Sequence, residues 1–137
     1  MTSLIERGAL VLLSLPALLY ASGSLLVTSD FVAMIPPDYQ FPGVSVFVFG
    51  VGATLLAAAI LIHVRRLRYA GGITLAVGMT LTAFCIHLPT LFVDFPADTS
   101  PEMIELTQRA AIAGVIKDLA VVGAALLVAL RAREGGN

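Results

Sequence analysis

Four long apolar stretches, separated by short polar segments, dominate the chain. Each is close to the ~20 residues that a helix needs to cross about 30 Å of hydrocarbon. None shows the apolar–polar alternation of a barrel strand, and only helices or closed barrels satisfy backbone polar groups in lipid. The pattern therefore predicts an all-α, polytopic membrane four-helix bundle. It forms a single transmembrane domain over residues 1–137, with helices at about 8–29, 43–64, 69–93 and 101–130.

The segments between these stretches contain residues that end or begin helices. Residues 30–42 include three prolines, which interrupt any helix, and a short basic hinge at 64–68 joins the second and third stretches. Before the fourth stretch, Ser100 reads as an N-cap and Pro101 as the first helical residue. The fourth helix is therefore expected to begin at Pro101, with an acidic first turn outside the membrane.

The first stretch has one alternative interpretation, a cleavable signal peptide. Its charged start, its apolar run and the small residues Ala21-Ser22-Gly23 are typical of such a peptide. The apolar run is longer than a typical signal core, however, so a retained first helix is expected.

Composition narrows the class of protein further. Hydrophobic residues make up 58% of the chain and charged residues only 12%, against about a quarter in soluble domains. The chain is therefore expected to be surrounded by the lipid bilayer over most of its surface. A net charge of −1 gives no reason to expect a nucleic-acid partner. The single cysteine, Cys85, allows neither an intrachain disulfide nor a cysteine-based zinc site.

The charged residues are distributed unequally between the two ends of the predicted bundle. Because cytoplasmic loops are enriched in Lys and Arg, the arginine-rich end is expected to face the cytoplasm, with both termini inside. The opposite end is acidic and carries only one basic residue, Arg109. The basic group consists of Arg7, Arg65, Arg66, Arg68, Arg131 and Arg133; the acidic group consists of Asp30, Asp38, Asp94, Asp98, Glu102 and Glu105.

Three ionisable residues fall inside the predicted spans, and such residues are functional-site candidates because they are costly in hydrocarbon. They are His87 in the third helix and the adjacent Lys117 and Asp118 in the fourth. At ~1.5 Å per helical residue, Lys117 lies roughly 21 Å from Arg131 and His87 roughly 24 Å from Gly71. The two side chains are therefore expected at about the same depth.

The first two helices also place polar or small residues at this depth. The first helix brings Tyr20, Ser22 and Ser24, and the second brings Gly50 and Gly52. This coincidence predicts a polar pocket inside the bundle, with a layer through Ser22, Gly50, His87 and Lys117. The candidate ligand-binding residues are His87, Lys117, Asp118, Ser22, Ser24 and Tyr20.

Helix three has a stripe of small residues that ends at His87. Small residues let membrane helices approach closely, so the stripe is expected to face inward. Two residues beyond it, Pro89 has no N–H for the carbonyl of Cys85 and is expected to kink the helix. The stripe consists of Gly72, Ala76, Thr80, Ala83 and His87.

The ionisable residues within the spans also have structural interpretations. Asp118 equally fits an ion pair with a neighbouring helix, and an isolated His87 is more often a hydrogen-bonded packing residue than a ligand. Lys117 and Asp118 point about 100° apart, so each needs its own partner or both share a cavity. His63 is expected at the interface beside the hinge arginines.

The histidines and cysteine also limit cofactor chemistry. His63 and His87 lie at different depths, which argues against a haem held by both within one chain and leaves a haem held by His87 alone. The chain contains no CxxCH, CxxC or HExxH motif, which excludes covalent c-type haem, thioredoxin-like chemistry and zincin proteolysis. No other metal site is predicted.

Three segments resemble the DoxX family of small four-helix membrane proteins: IERGAL at 5–10, HLP at 87–89 and KDLAVVGAALL at 117–127. The resemblance covers nearly the whole chain. It implies a bacterial or archaeal inner-membrane protein, in a family associated with thiosulfate:quinone oxidoreductase and with redox homeostasis. It also implies that Arg7, His87 and Lys117 are the family-type polar positions.

Three functions follow as hypotheses. The first is a redox-associated small membrane subunit that contacts a quinone or a haem; it works with a partner protein or as a homo-oligomer, because no soluble domain is available for a hydrophilic electron donor. The second is a non-enzymatic structural or assembly subunit. The third is a binder or transporter of a small lipophilic molecule. The sequence leaves open whether the protein is an enzyme.

Overall fold

The computed structural model of the chain describes residues 4–33, 35 and 40–134, and these residues form helices and no strand. A 3₁₀ turn, Arg65–Leu67, precedes the helix Arg68–Thr82, and a π-helical turn, Ala83–His87, separates this helix from the short helix Leu88–Thr90. The helices are α1 Leu4–Leu26, α2 Thr28–Ala33, α3 Val44–Leu61, α4 Arg68–Thr82, α5 Leu88–Thr90 and α6 Pro101–Glu134.

Four helical segments are long and apolar enough to cross a membrane, as predicted. These are α1, α3, the third span Arg65–Thr90, which includes α4 and α5, and α6. For the described residues, the all-α fold class and the presence of four helices of membrane-spanning length and apolarity are thus confirmed, which suggests a multi-pass membrane protein. The helix ends differ from the predicted ones by a few residues.

Polar and helix-forming residues account for these differences. The first span ends at Leu26, and after Val27 the chain forms the short helix α2, of which residues 30–33 were predicted to be a loop. The prolines at 36 and 37 lie outside the described residues. α6 continues to Glu134 because Ala, Arg and Glu favour helix beyond the apolar segment. Its start agrees with the prediction, since the Met103 N–H donates to Ser100 Oγ at 3.3 Å.

The spans pack in chain order: α1 against α3, α3 against α4, and α4 against α6. α1 and α6 touch each other only weakly, so the bundle is more open along this side than along the other three. The shared core is made mainly of aliphatic residues, including Leu55, Leu75 and Met79, which are completely buried.

A tight hinge joins the second and third spans at the end that carries both termini. Gly71 is required there, because a Cβ would lie 2.6 Å from the backbone nitrogen of Ile62. Arg68 stabilises the hinge: its Nε donates to the Ile62 carbonyl at 3.1 Å, and its Nη1 lies 2.6 Å from Glu6 Oε1 of α1. This ion pair attaches α1 to the start of the third span.

The small-residue stripe of the third span faces inward, as predicted. Gly72, Ala76 and Ala83 are buried, and Thr80 and His87 are partly buried. A Cβ on Gly72 would lie 2.8 Å from the Ala125 carbonyl oxygen, so the backbones of α4 and α6 approach closely here. This contact sets the position of the polar residues further along both helices.

Candidate functional site

The centre of the candidate site is Asp118, whose side chain is completely buried. Its Oδ2 accepts a hydrogen bond from Thr82 Oγ1 at 2.9 Å and lies 3.5 Å from His87 Nε2. Its Oδ1 lies 3.2 Å from Lys117 Nζ. Together with Tyr20, these residues form what we call the Asp118 cluster, and the third span and α6 supply most of it.

The position of His87 depends on an irregular turn in the third span. In an α-helix, residues five apart point about 140° apart, so Thr82 and His87 could not both face Asp118. The π-helical turn Ala83–His87 accommodates one extra residue, and the Leu88 N–H bonds to the Ala83 carbonyl. Pro89, which lacks an N–H, follows directly. The predicted disturbance of the helix near Pro89 is therefore a π-turn on its N-terminal side.

The His87 ring lies flat against the backbone of α6 at Gly114. A Cβ on Gly114 would lie 2.7 Å from both Cγ and Nδ1 of the ring, so the ring can occupy this position only because residue 114 is a glycine. The glycine therefore allows the histidine to lie between the two helices.

Lys117 and Asp118 bind each other although they are adjacent on the helix. The sequence predicted separate partners or a shared cavity, but the long lysine side chain turns back so that its ammonium group reaches the carboxylate. Its Nζ also lies 5.5 Å from the centre of the Tyr20 ring, within the range of a cation–π contact. The Lys117 side chain is 47% exposed, whereas the carboxylate that its ammonium group reaches is completely buried.

Tyr20 is the contribution of α1 to the cluster. Its ring packs edge-to-face against His87, with centroids 6.1 Å apart, and against Phe31, with centroids 5.4 Å apart. Tyr20 thereby connects α1 to α6 through Lys117, although contact between the two helices is weak overall.

Of the two serines predicted as site residues, the structure buries Ser24 and leaves Ser22 exposed. Ser24 is buried and donates to the Tyr20 carbonyl at 2.8 Å, and a Cβ on Gly52 would overlap its side chain. Ser22 is exposed and donates to the Leu19 carbonyl of its own helix. Gly50 is also exposed. The inward-facing residues at this depth are therefore Ser24 and Gly52, and the structure does not bring Ser22 and Gly50 together with the Asp118 cluster.

Two buried polar atoms of the cluster lack a hydrogen bond within the described residues, His87 Nε2 and Asp118 Oδ1. Asp118 Oδ1 does lie within ion-pair distance of Lys117. Unsatisfied buried polar atoms are uncommon in proteins, and each one calls for an explanation. Both atoms adjoin the buried carboxylate: Oδ1 is part of it, and His87 Nε2 lies 3.5 Å from its Oδ2.

The cluster is packed and does not enclose a large pocket. The cavity beside it, between Tyr20, Ser24 and Thr82, measures about 10 Å³, which is room for about one water molecule. A larger cleft of about 480 Å³ lies towards the 90–100 loop and has an almost entirely apolar lining that includes Phe41, Phe84 and Cys85. A ligand of the cluster would therefore approach from the exposed side of Lys117.

The described residues contain no group of three His, Cys, Asp or Glu side chains that could hold a metal ion. A haem on His87 does not fit the geometry either. An axial ligand needs a ring nitrogen directed into free space, but Nε2 faces the Asp118 carboxylate and the rest of the ring lies on Gly114.

Thr82 was missed as a site residue by reasoning from the sequence. It follows Leu75 and Met79 at helical spacings of four and three, and all three residues are buried. This spacing could have indicated from the sequence that Thr82 lies on the same face. The Thr82 hydroxyl also lies 2.8 Å from the Met79 carbonyl oxygen of its own turn, so its sequence position alone did not require a partner on another helix.

No protein-family model, curated protein or solved structure matches this chain.

Proposed function

We propose that the protein is a redox-associated membrane subunit that contacts a quinone from the bilayer at the exposed side of Lys117. The observation that carries the proposal is the half-exposed Lys117 side chain, whose ammonium group lies beside a completely buried carboxylate. A cation that is left partly uncovered at this depth is costly in hydrocarbon, so its retention suggests a function.

The donor set of the cluster fits a quinone. A quinone carbonyl accepts hydrogen bonds, and the ammonium group of Lys117 has three N–H donors, of which Asp118 occupies one side. When a partner protein supplies two electrons, a bound quinone takes up two protons and becomes a quinol. His87 and Asp118 are the groups that could hold such protons, because His87 Nε2 and Asp118 Oδ1 make no hydrogen bond within the described residues.

Binding of a short-chain ubiquinone to the protein in lipid nanodiscs tests the proposal. Lys117→Met removes the donor and retains the length of the side chain, so we expect affinity to fall about tenfold, the value of one charged hydrogen bond. Equilibrium dialysis measures the affinity. Lys117→Arg is expected to retain most of the binding.

The matched control is Arg109→Gln, which removes a cation from the same helix at an exposed position paired with Glu105. It should leave affinity unchanged. An equal loss in both variants, or no saturable binding by the unaltered protein, contradicts a quinone site at Lys117.

The second candidate is a structural or assembly subunit, and one contact favours it. The hydrogen bond between Thr82 and Asp118 is completely buried and joins the third span to α6. In this case the cluster holds helices together, and Lys117→Met changes only stability.

Thr82→Val tests the structural contribution directly. It leaves Asp118 Oδ2 without its donor, so we expect the free energy of unfolding to fall by about 1–3 kcal/mol. Thr80→Val is the control, because the Thr80 hydroxyl bonds only to the Ala76 carbonyl of its own helix. Thermal unfolding in detergent measures both. If Thr82→Val is as mild as the control, the buried bond does not hold the two helices together.

We also propose that the protein is a DoxX-family member of the inner membrane with both termini in the cytoplasm. The support is the resemblance of its three motifs and the arginine-rich character of the end that carries the termini. A partner protein or a second copy of the chain is part of the same proposal.

A further inference from the structure

The weak contact between α1 and α6 leaves a groove between them at the end that carries the termini. It measures about 610 Å³, within the range of about 300–1,000 Å³ that is typical of small-molecule sites. We call it the α1–α6 groove. Its lining includes Leu10, Leu13, Ala124, Val128, Arg68 and Arg131.

The walls and the rim of the groove differ in chemistry. Its walls are apolar and extend from Arg131 to Ala124, seven residues or roughly 10 Å into the hydrocarbon region. Its rim carries Arg131, Arg68 and Glu6. The groove therefore has a polar end at the membrane surface and an apolar end in the bilayer, which is the polarity of a lipid molecule.

The charges at the rim favour an anionic headgroup. Arg68 is largely neutralised by Glu6, since their side chains bond at 2.6 Å and Arg68 is only 14% exposed. Arg131 is exposed and forms no ion pair within residues 4–33, 35 and 40–134. Four further arginines, at 7, 65, 66 and 133, lie at the same end of the bundle. The rim is thus positive, with Arg131 available as a donor.

From this complementarity we propose that the α1–α6 groove binds one anionic phospholipid. The phosphate of the lipid bonds to Arg131, and one acyl chain lies along Leu10, Leu13, Ala124 and Val128. Basic pockets between transmembrane helices recognise lipid headgroups by this combination of charge and apolar surface. The lipid fills the side on which α1 and α6 fail to pack. The inference is independent of a quinone at Lys117, which lies two turns further along α6.

Native mass spectrometry of the protein released from vesicles of equal phosphatidylglycerol and phosphatidylcholine tests the inference. The unaltered protein should retain one phosphatidylglycerol in preference to phosphatidylcholine. Arg131→Gln should lower this preference about fivefold, because one cation near the membrane surface contributes about that factor.

Arg133→Gln is the matched control, since it removes the same charge two residues away at a position that does not line the groove. It should leave the preference unchanged. An equal decrease in both variants means that the general positive field attracts the lipid, and this result overturns a specific site.

A second pair of variants tests the groove without altering charge. Ala124→Phe fills the apolar wall at an exposed position, so retention of the lipid should be lost. Leu127→Phe adds an aromatic ring on the same helix outside the groove and should have no effect. Retention that survives Ala124→Phe shows that the acyl chain lies elsewhere, and the proposal is then wrong.

Discussion

At the scale of single residues, the geometry of the Asp118 cluster depends on Gly114, which has no side chain. Gly114 lets the His87 ring lie on the backbone of α6, where its Nε2 reaches 3.5 Å from Asp118. Packed interiors tolerate little added volume, so even a methyl group at this point displaces the ring. The polar contacts of the cluster therefore depend on a purely steric condition.

Replacing Gly114 by Ala is expected to destabilise the protein by about 1–3 kcal/mol, the usual range for overpacking. Gly123→Ala is the matched control on the same helix, because a Cβ there meets nothing within 4 Å. It should be neutral or stabilising, since Ala is the better helix former by up to about 1 kcal/mol. Unfolding of both variants in a detergent titration provides the comparison.

The double variant His87→Ala with Gly114→Ala separates the steric cause from other effects. If the clash with the ring is the cause, removal of the ring should recover most of the stability lost in Gly114→Ala. Absence of any recovery relative to His87→Ala alone speaks against this contact.

At the scale of the helices, close approach of α4 and α6 sets the register in which the cluster forms. Gly72 lies against the carbonyl of Ala125, near the end with the termini, and Thr82 meets Asp118 further along the same two helices. Without a strong hydrophobic driving force in lipid, such small-residue contacts and buried hydrogen bonds hold helices together.

Gly72→Ala is expected to push α4 and α6 apart, because its Cβ would lie 2.8 Å from a backbone oxygen that has no freedom to move aside. We expect a loss of about 1–3 kcal/mol in the free energy of unfolding. Gly50→Ala, on the exposed side of α3 with nothing within 4 Å, is the control. Equal unfolding midpoints for the two variants contradict a close contact at Gly72.

At the scale of the whole molecule, the unequal charge of the two ends predicts how the bundle lies in the membrane. The hinge at the end of the termini carries Arg65, Arg66 and Arg68, whereas the loop before α6 carries Asp94 and Asp98. This distribution favours the hinge in the cytoplasm.

Labelling of single cysteines with a membrane-impermeant maleimide checks the orientation in intact cells. In a Cys85→Ser background, Ala97→Cys in the exposed loop before α6 should be labelled from outside. Leu67→Cys in the hinge, also exposed, should react only after permeabilisation. The reverse pattern means that the termini are outside.

The sequence by itself determined the number of spans, the start of α6 at Pro101 and the inward stripe that ends at His87. These properties depend on the length of an apolar run, on local capping and on the repeat of one helix, all of which are encoded locally. The depth of a residue along its helix could also be predicted from the sequence, because it follows from a count of residues.

Only the tertiary structure decided which residues at one depth meet. It selected Ser24 over Ser22, brought Thr82 to Asp118, turned Lys117 back onto its neighbour, and left α1 and α6 apart. These outcomes depend on how far each helix is rotated about its axis and on the π-turn before Pro89. Packing between helices sets that rotation, and the pattern of apolar residues on a single helix is not enough to predict it.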